Sequence, residues 1–538
     1  MSEQALLIEK DIYKINKPIR LIELFAGYGS QALSLKYLNV EAESILISEW
    51  AINSILAYKS LHKEYDDTDY CESMTSEEVI QELYKRSISR DYNKPLTLEQ
   101  ISRVGDKRNR EILNAMIATN NKGSICNING KDIILDTNYC NILTYSFPCQ
   151  DLSLAGKRSG MNKESGTRSG LLWEVERILK EMPIKPDVLL MENVPQVHNV
   201  NNIADFKIWL NFLKSLGYSN YDKDLTANDY GIPQTRNRCF MVSLLGSYNY
   251  NFPEKQPLKL KLKDLLEKEV DEKYFLSKKT KDFFIQNDIK QREKGNGFRF
   301  NASRGEGVAK TITTRNGSRM DDNFIIEESI KIPEATKVGY KEAYEGDGVY
   351  INRPHLKRGV VQKDMIQTLK TSVNDIGVVV ASNLKSQLCD KLIENSLVEE
   401  NDIIKHSYTS QIISGNKKCV EKSDCMVTLT TRGDCFGVVV KENENYIEWK
   451  EKGKLDMECR ATKENGVCST ILTIPKNKVL INNLRIRKLT PNECFRLMGV
   501  KDEDYDKLTY HSGSALYHLA GDSIVVNVLM AIFKELIN

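Results

Sequence analysis

At 538 residues the chain is too long for one ordinary core and long enough for two or three domains. Hydrophobic residues at 41% and charged residues at 28% exclude a disordered chain and a membrane-embedded bundle. Against 76 Lys+Arg stand 74 Asp+Glu, a net +2, so no overall basic surface advertises a nucleic-acid partner. Met1-Ser2-Glu3-Gln4 lacks the basic and apolar regions of a signal peptide. The longest apolar stretch, Ile524 to Phe533, is interrupted by Asn527 and is too short to cross a bilayer. These features predict a cytoplasmic chain without a membrane partner. Twelve cysteines with no CxxC pair, beside six histidines, predict reduced thiols and no metal site. A functional cysteine here is better read as a nucleophile.

In chain order, Ile19 to Phe25 is a short apolar run ending in Gly27-Tyr28-Gly29, followed by a helical pattern through Leu33, Leu35 and Leu38. A second run, Ser44 to Ile47, ends at Ser48-Glu49-Trp50 and leads into another helix. Further runs are Asn141 to Phe147, Val188 to Met191 and Cys239 to Leu245. Strands alternating with helices predict an α/β domain with a mostly parallel, doubly wound sheet. Residues 65–122 break this rhythm. Thr75-x-x-Glu78 and Thr97-x-x-Gln100 are capping-box signatures, and Asp106 marks a third helix running toward Gly123. This is a helical insertion between two core strands. From Lys85 to Arg110 it carries eight Lys/Arg against three Asp/Glu, which fits either a solvated helix face or contact with DNA.

From about Phe298 to Asn483 β-branched residues dominate and a loose repeat appears. Thr311 to Thr314, Thr368 to Thr371, Thr428 to Thr431 and Thr470 to Thr473 each precede a short apolar strand pattern. Intervals of 57, 60 and 42 residues between the first threonines exclude a regular solenoid and suit strand–loop–strand units grown from one duplicated element.

Gly27-x-Gly29-x-x-Ala32 follows a strand and opens a helix, with Glu49 twenty residues beyond Gly29. Such glycines let the backbone turn tightly against a nucleotide-like ligand, and the carboxylate suits ribose hydroxyls. The pattern alone fits NAD, FAD or S-adenosylmethionine. Trp50 suits stacking on an adenine, or the core. Phe147-Pro148-Cys149-Gln150 ends another strand, where a doubly wound sheet opens its ligand crevice. Met191-Glu192-Asn193-Val194 ends a third, and Gln234-x-Arg236-x-Arg238 introduces the strand at Cys239. A thiol, an acid and two guanidiniums can together activate a polar heterocycle.

These motifs, in this order, resemble the DNA cytosine-5 methyltransferase family in its bacterial or phage form. Phe25-Ala26-Gly27-Tyr28-Gly29-Ser30 resembles the family's cofactor loop, Phe147 to Gln150 its nucleophile motif and Arg168-Ser169-Gly170-Leu171 a further cofactor-side motif. Glu192 to Val194 is similar to the acid motif and Gln234 to Arg238 to the arginine motif. Arg487 to Glu493, followed by Arg496-Leu497-x-Gly499, resembles the segment supporting the recognition domain. Gly521-Asp522-Ser523-Ile524 opens a closing helix.

The resemblance implies S-adenosylmethionine as cofactor, held by Phe25, Ala26, Gly27, Tyr28, Gly29, Ser30, Glu49, Trp50, Ser124, Ile125, Pro148, Leu171, Asp522, Ser523 and Ile524. It implies Cys149 as the nucleophile toward carbon 6 of a flipped cytosine, and Glu192 at ring nitrogen 3 and the exocyclic amine. Arg238 falls at the 2-carbonyl oxygen with Arg236 supporting it. Gln150, Ser153, Lys157, Arg158 and Lys163 fall on a DNA-closing loop. It further implies a catalytic domain over 1–297, a target-recognition domain over 298–483 and a closing segment over 484–538. A monomer acting on double-stranded DNA near the bacterial nucleoid completes the expectation, either with a cognate restriction endonuclease as partner or as an orphan or phage-borne enzyme.

The chain departs from the family pattern at several points. Gly123-Ser124-Ile125 stands where an acidic residue usually contacts the adenine amine. Lys131-Asp132-Ile133 keeps the acid but lies closer to Cys149, so the choice between Ser124 and Asp132 is open. Asp522 stands where Asn is commoner. Three rival readings are a nicotinamide oxidoreductase, a tRNA cytosine-5 methyltransferase of the same fold and a DNA-binding protein with an inactive fold. The large β-rich insert favours duplex DNA over tRNA.

Overall fold

The computed structural model describes residues 11–148, 168–295, 299–300, 302–336, 339–343, 348–350, 360–362, 376–378, 403–405, 420–421, 436–438 and 483–538. The chain forms two compact units, Met1–Ile325 with Lys488–Asn538, and Ile326–Arg487.

A six-stranded sheet organises the first unit: β1 (Ile19–Leu24), β2 (Ala42–Ser48), β3 (Cys140–Tyr145), β4 (Val188–Asn193), β5 (Tyr218–Thr226) and β6 (Asn237–Leu245), in the order β2-β1-β3-β4-β6-β5. β2, β1, β3 and β4 run parallel, whereas β6 is antiparallel to β4 and β5. Strands covered on both faces read as near-continuous apolar runs. In β4, Val188 and Leu190 join one core while Leu189 and Met191 join the other. The first core receives Leu33 and Leu35 of α1 (Ser30–Tyr37). The second receives α6 (Leu172–Glu181) through Val175 and Ile178, and α7 (Ile203–Ser215) through Phe206 and Trp209.

The insertion is helical. α2 (Ile52–His62) presents Ile52, Ile55 and Leu56 to α3 (Ser76–Lys85), α4 (Leu98–Ser102) and α5 (Asp106–Ala118), and the group shares its own core with Val79, Leu83, Ile112 and Met116. Both capping boxes form. The third helix starts at Asp106 but ends at Ala118, short of Gly123, with Gly105 as its N-cap at φ +97°. Its basic stretch is largely spent internally. Lys85 and Arg86 pair with Glu82, Arg103 with Glu99, Arg108 with Glu111 and Arg110 with Asp106. Arg110 also donates to the carbonyls of Cys71 and Met74 at 2.7 and 2.8 Å.

After α8 (Lys278–Glu293) the unit closes through α9 (Pro491–Leu497), α10 (Asp502–Asp506), α11 (Gly513–Asp522) and α12 (Val526–Ile537). The stretch Gly513–Ile537 is long and apolar enough to span a membrane, but 72% of that window is buried within the protein. Val526, Leu529, Ile532 and Phe533 fill the core beside α1, so burial, not a bilayer, accounts for their character. Residues 299–325 belong to this first unit, not to the second as the sequence boundary at 297/298 has it. Ala309 pairs with Gln234, and Thr235 donates to the Ala309 carbonyl at 2.8 Å.

The second unit shows its duplication in its sheets. Gly348–Tyr350 is flanked by antiparallel Val361–Gln362 and Ile376–Val378, and Ile403–Lys405 by antiparallel Val420–Glu421 and Phe436–Val438. The registers correspond: Val349 faces Val361 and Gly377, while Ile404 faces Val420 and Gly437. The same three-stranded element occurs twice. Of the four Thr-x-x-Thr segments only Thr311 to Thr314 lies within the described residues, and it belongs to the first unit.

Candidate active site

The parallel strands deliver their carboxyl ends to one rim, and the sequence motifs lie along it. After β1 the chain turns at Phe25 (φ +59°), Gly27 (φ +58°) and Gly29 (φ +83°) before entering α1. A side chain at Gly29 would collide with Tyr58 and His62, whereas a Cβ at Gly27 would meet open space. Gly27 thus faces a cradle rather than packed protein.

Glu49, just past β2, is 8% exposed. One carboxylate oxygen accepts the Gly27 N–H at 2.9 Å and the other the Ala51 N–H at 2.7 Å, leaving lone pairs for a ligand's hydroxyls. Burial pushes its carboxyl up to about 7, against the pull of those backbone donors. Asn121, which nothing in the sequence marks, secures this end of β2. Its side-chain oxygen accepts the N–H groups of Glu49 and Gly123 at 3.1 and 2.9 Å. Glu23 is a second unmarked group. Buried in β1, it accepts hydrogen bonds from Tyr58 and Ser44 beneath the glycine turn.

That arrangement bears on the choice between Ser124 and Asp132. Half-buried Ser124 follows Gly123 directly and lies beside the Glu49 backbone, with Ile125 buried behind it. Asp132 is exposed at the end of a short turn whose Gly130 N–H binds Glu181 of α6. Among the remaining cofactor-side residues, Tyr28 buries its side chain against Phe495, with its hydroxyl toward Ser30 and Ser523. Ala26 and Ser30 are buried, Trp50 is half-buried and Leu171 packs at the edge of the second core. Asp522 is half-exposed at the end of α11, and Ser523 and Ile524 are buried just beyond it. Gly521 is there because a Cβ would meet the Thr314 nitrogen at 2.3 Å and the Thr313 carbonyl carbon at 2.4 Å.

At the end of β4, Glu192 is 8% exposed and its carboxylate lies 3.1 Å from Arg238 Nε. Burial raises the Glu192 carboxyl above its ordinary range, with the charges of Arg238 and Arg236 opposing the shift. Asn193 donates its side-chain amide to the Phe147 carbonyl at 3.0 Å, tying the acid strand to the turn before Pro148. Arg236 is spent differently. Its buried guanidinium donates to the carbonyls of Ile312, Gly521 and Ser523 at 3.1, 3.2 and 2.7 Å. Gln234 binds Leu497 O and Ile312 N, so both residues clamp main chain, while Arg238 meets the acid directly. Arg236 is a positioning residue in this geometry.

Cys149 and Gln150, with Ser153, Lys157, Arg158 and Lys163, lie outside the described residues. One further cluster is brought together beside β6. The ligand-type atoms of His198, Asp222 and Cys239 lie within 4.8 Å of one another. His198 Nε2 is 3.1 Å from Asp222 and 3.7 Å from Cys239 Sγ, and burial holds the thiol protonated.

A doubly wound sheet with a glycine turn, a buried ribose-type carboxylate and an acid–guanidinium pair on one rim defines an α/β group-transfer enzyme with a nucleoside cofactor. The family model described as C-5 cytosine-specific DNA methylase matches residues 101–355 and 338–538. The chain is 38% identical over 261 residues to Type II methyltransferase M2.ScrFI of Lactococcus lactis subsp. cremoris, covering 48% of this chain and 70% of that protein. It is 36% identical over 265 residues to Orphan methyltransferase M.SssI of Spiroplasma monobiae, covering 48% and 68%. Across 436 residues it is 24% identical to Orphan methyltransferase M.SPRI of Bacillus phage SPR, covering 74% and 82%.

The chain belongs to the C-5 cytosine-specific DNA methylase family. It transfers a methyl group from S-adenosylmethionine to carbon 5 of cytosine in DNA, and the tRNA alternative gives way to DNA.

Proposed function

We propose that the rim built from Gly27, Glu49, Pro148, Glu192 and Arg238 is the site of that transfer, with Cys149 as nucleophile. The observation that carries the reading is the buried Glu192–Arg238 pair, 3.1 Å apart at the end of β4. The open cradle at Gly27 and the free lone pairs of Glu49 fit S-adenosylmethionine, and Ser124 fits the adenine-side position better than Asp132. Bound S-adenosylmethionine supplies the methyl group and its leaving group.

The chain's own residues do the rest. The target cytosine leaves the base stack, because its carbons are unreachable within the duplex. The Cys149 thiolate forms a bond to carbon 6, and the electron pair of the 5,6 double bond moves into the ring toward carbon 5 and nitrogen 3. Glu192, whose carboxyl burial raises above its ordinary range, gives a proton to nitrogen 3. Arg238 holds the 2-carbonyl oxygen, where negative charge also collects. After methylation carbon 5 gives its proton to solvent, the electron pair of that bond re-forms the 5,6 double bond, the carbon–sulfur bond breaks to release the Cys149 thiolate, and nitrogen 3 returns its proton to Glu192.

Residues 326–487 act as the target-recognition domain, and Gln150, Ser153, Lys157, Arg158 and Lys163 contact DNA as its loop closes. The protein acts on double-stranded DNA in the bacterial cytoplasm as a monomer, either beside a cognate endonuclease or as an orphan or phage-borne enzyme. A duplex carrying 5-fluorocytosine at the target tests the site reading. Fluorine at carbon 5 leaves no proton to remove, so a denaturation-resistant protein–DNA complex containing Cys149 should accumulate. A methylated product with no trapped complex contradicts the covalent route.

The carboxyl of Glu49 gives a pH prediction. Burial pushes it up to about 7, and the carboxylate accepts ribose hydroxyls more strongly and at both oxygens, so affinity falls as pH falls through that value. Calorimetric titration should show S-adenosylmethionine binding about ten-fold weaker at pH 6 than at pH 8. Glu49→Gln should bind weakly at both values with that slope removed.

A further inference from the structure

The helical insertion returns to the core beside Glu49. Ser89 donates its N–H to Trp50 O at 2.7 Å and accepts the Ile52 N–H at 3.0 Å. Three residues on, Tyr92 adopts φ +60°, a backbone region that bulky L-residues avoid. The side chain is nevertheless fixed at both ends. Its hydroxyl lies 3.2 Å from Ser54 Oγ, and its ring stacks on His518 with centroids 4.1 Å apart and planes within 7°. His518 Nδ1 lies 2.9 Å from the Asp522 carboxylate, one helical turn further along α11.

The charges of Glu49 and Asp522 both act on the Tyr92 hydroxyl. Ser54 lies in α2, which begins three residues after Glu49, and Asp522 adjoins Ser523, whose carbonyl binds Arg236, so the Tyr92 ring bridges the Glu49 end of β2 and the end of α11. Tyr92 remains only half-buried there. A strained tyrosine, clamped at ring and hydroxyl and left partly open beside two carboxylates, is more than packing between the insertion and α2. An aromatic face with carboxylates suits a nucleoside bearing a sulfonium and an ammonium.

We propose that Tyr92 is a cofactor-binding residue, its ring delivered by the insertion and held by His518 as a side wall of the S-adenosylmethionine site. The inference rests on the reading of Gly27 and Glu49 as that site.

Calorimetric titration of S-adenosylmethionine into the full chain, with thermal melting of each variant, tests it. Tyr92→Asn removes the ring at a backbone angle that Asn tolerates well, and should weaken binding about ten-fold at a nearly unchanged Tm. Tyr92→Phe should bind as wild type. Wild-type affinity in Tyr92→Asn alongside weakened Glu49→Ala overturns the role of Tyr92 and leaves the site intact. Wild-type affinity in Glu49→Ala overturns the site itself. A lowered Tm with unchanged affinity in Tyr92→Asn marks a structural residue and also overturns the proposal. Should Tyr92→Asn not fold, His518→Ala decides: about three-fold weaker binding supports the wall, and unchanged binding refutes it.

Discussion

Replacing Cys149 by alanine should abolish methyl transfer, a loss of about 10⁵-fold or more, while S-adenosylmethionine still binds near its wild-type affinity. The reason lies in the substrate. Carbon 5 of an aromatic cytosine is a poor nucleophile, and it gains electron density only after something adds to carbon 6. Nothing else in the assigned constellation can add there: Glu192 is paired with Arg238, and Arg236 is committed to three backbone carbonyls. The site therefore has no second route of comparable rate. Tritium transfer to duplex DNA gives the rate and calorimetry the binding. Appreciable residual turnover in Cys149→Ala would overturn the nucleophile assignment.

Glu192→Gln is expected to lower kcat by about 10²–10⁴-fold. The substitution keeps the shape and part of the hydrogen bonding but removes a transferable proton. It also strips Arg238 of the charge it faces at 3.1 Å. Because burial raises the Glu192 carboxyl, its protonated fraction falls as pH rises through the folded value, and wild-type kcat should decline on the alkaline side. That decline should be missing from the residual activity of Glu192→Gln. An unchanged kcat, or an identical alkaline limb in both proteins, would assign the acid elsewhere.

Much of the fold was legible because β1, β3 and β4 are buried on both faces and read as continuous apolar runs. β5 was not, for the opposite reason. It is one of the two edge strands, and Asp222, Lys223 and Asp224 stand exposed along it, blunting the edge at the cost of any apolar pattern. The boundary at 297/298 differed from the division at 325/326 because Thr311 to Thr314 resembles the repeats that follow. Its partners are Gln234 and Arg236, and pairing across that span leaves no local mark.

The candidate site divides in the same way. Glu49, Glu192 and Arg238 were readable at strand ends, since a charged residue there needs a reason. The work of Arg236 was not, as its carbonyl acceptors at Gly521 and Ser523 lie 285 and 287 residues away. Asn121 and Asn193 act through one side-chain oxygen and one amide, and neither role has a periodicity. The insertion's capping boxes announced helices but not where the loop between them docks. Tyr92 was therefore invisible until Ser89 was seen paired with Trp50.

The near-neutral charge is no obstacle to a DNA substrate once the basic residues are followed individually. In the insertion most pair with neighbouring acids. Lys261 and Lys263 bind Glu306, and Lys255 binds Asp229. Net charge therefore decides nothing about a DNA substrate, which rests on the family match.

The most direct test is to express the full chain in a bacterial host that lacks cytosine methylation and to map 5-methylcytosine across its genome by bisulfite sequencing. Methylation of cytosines in a shared sequence context, present with the wild type and missing with Cys149→Ala, is the predicted result. A genome without 5-methylcytosine despite soluble wild-type protein, or equal methylation with Cys149→Ala, would contradict the account.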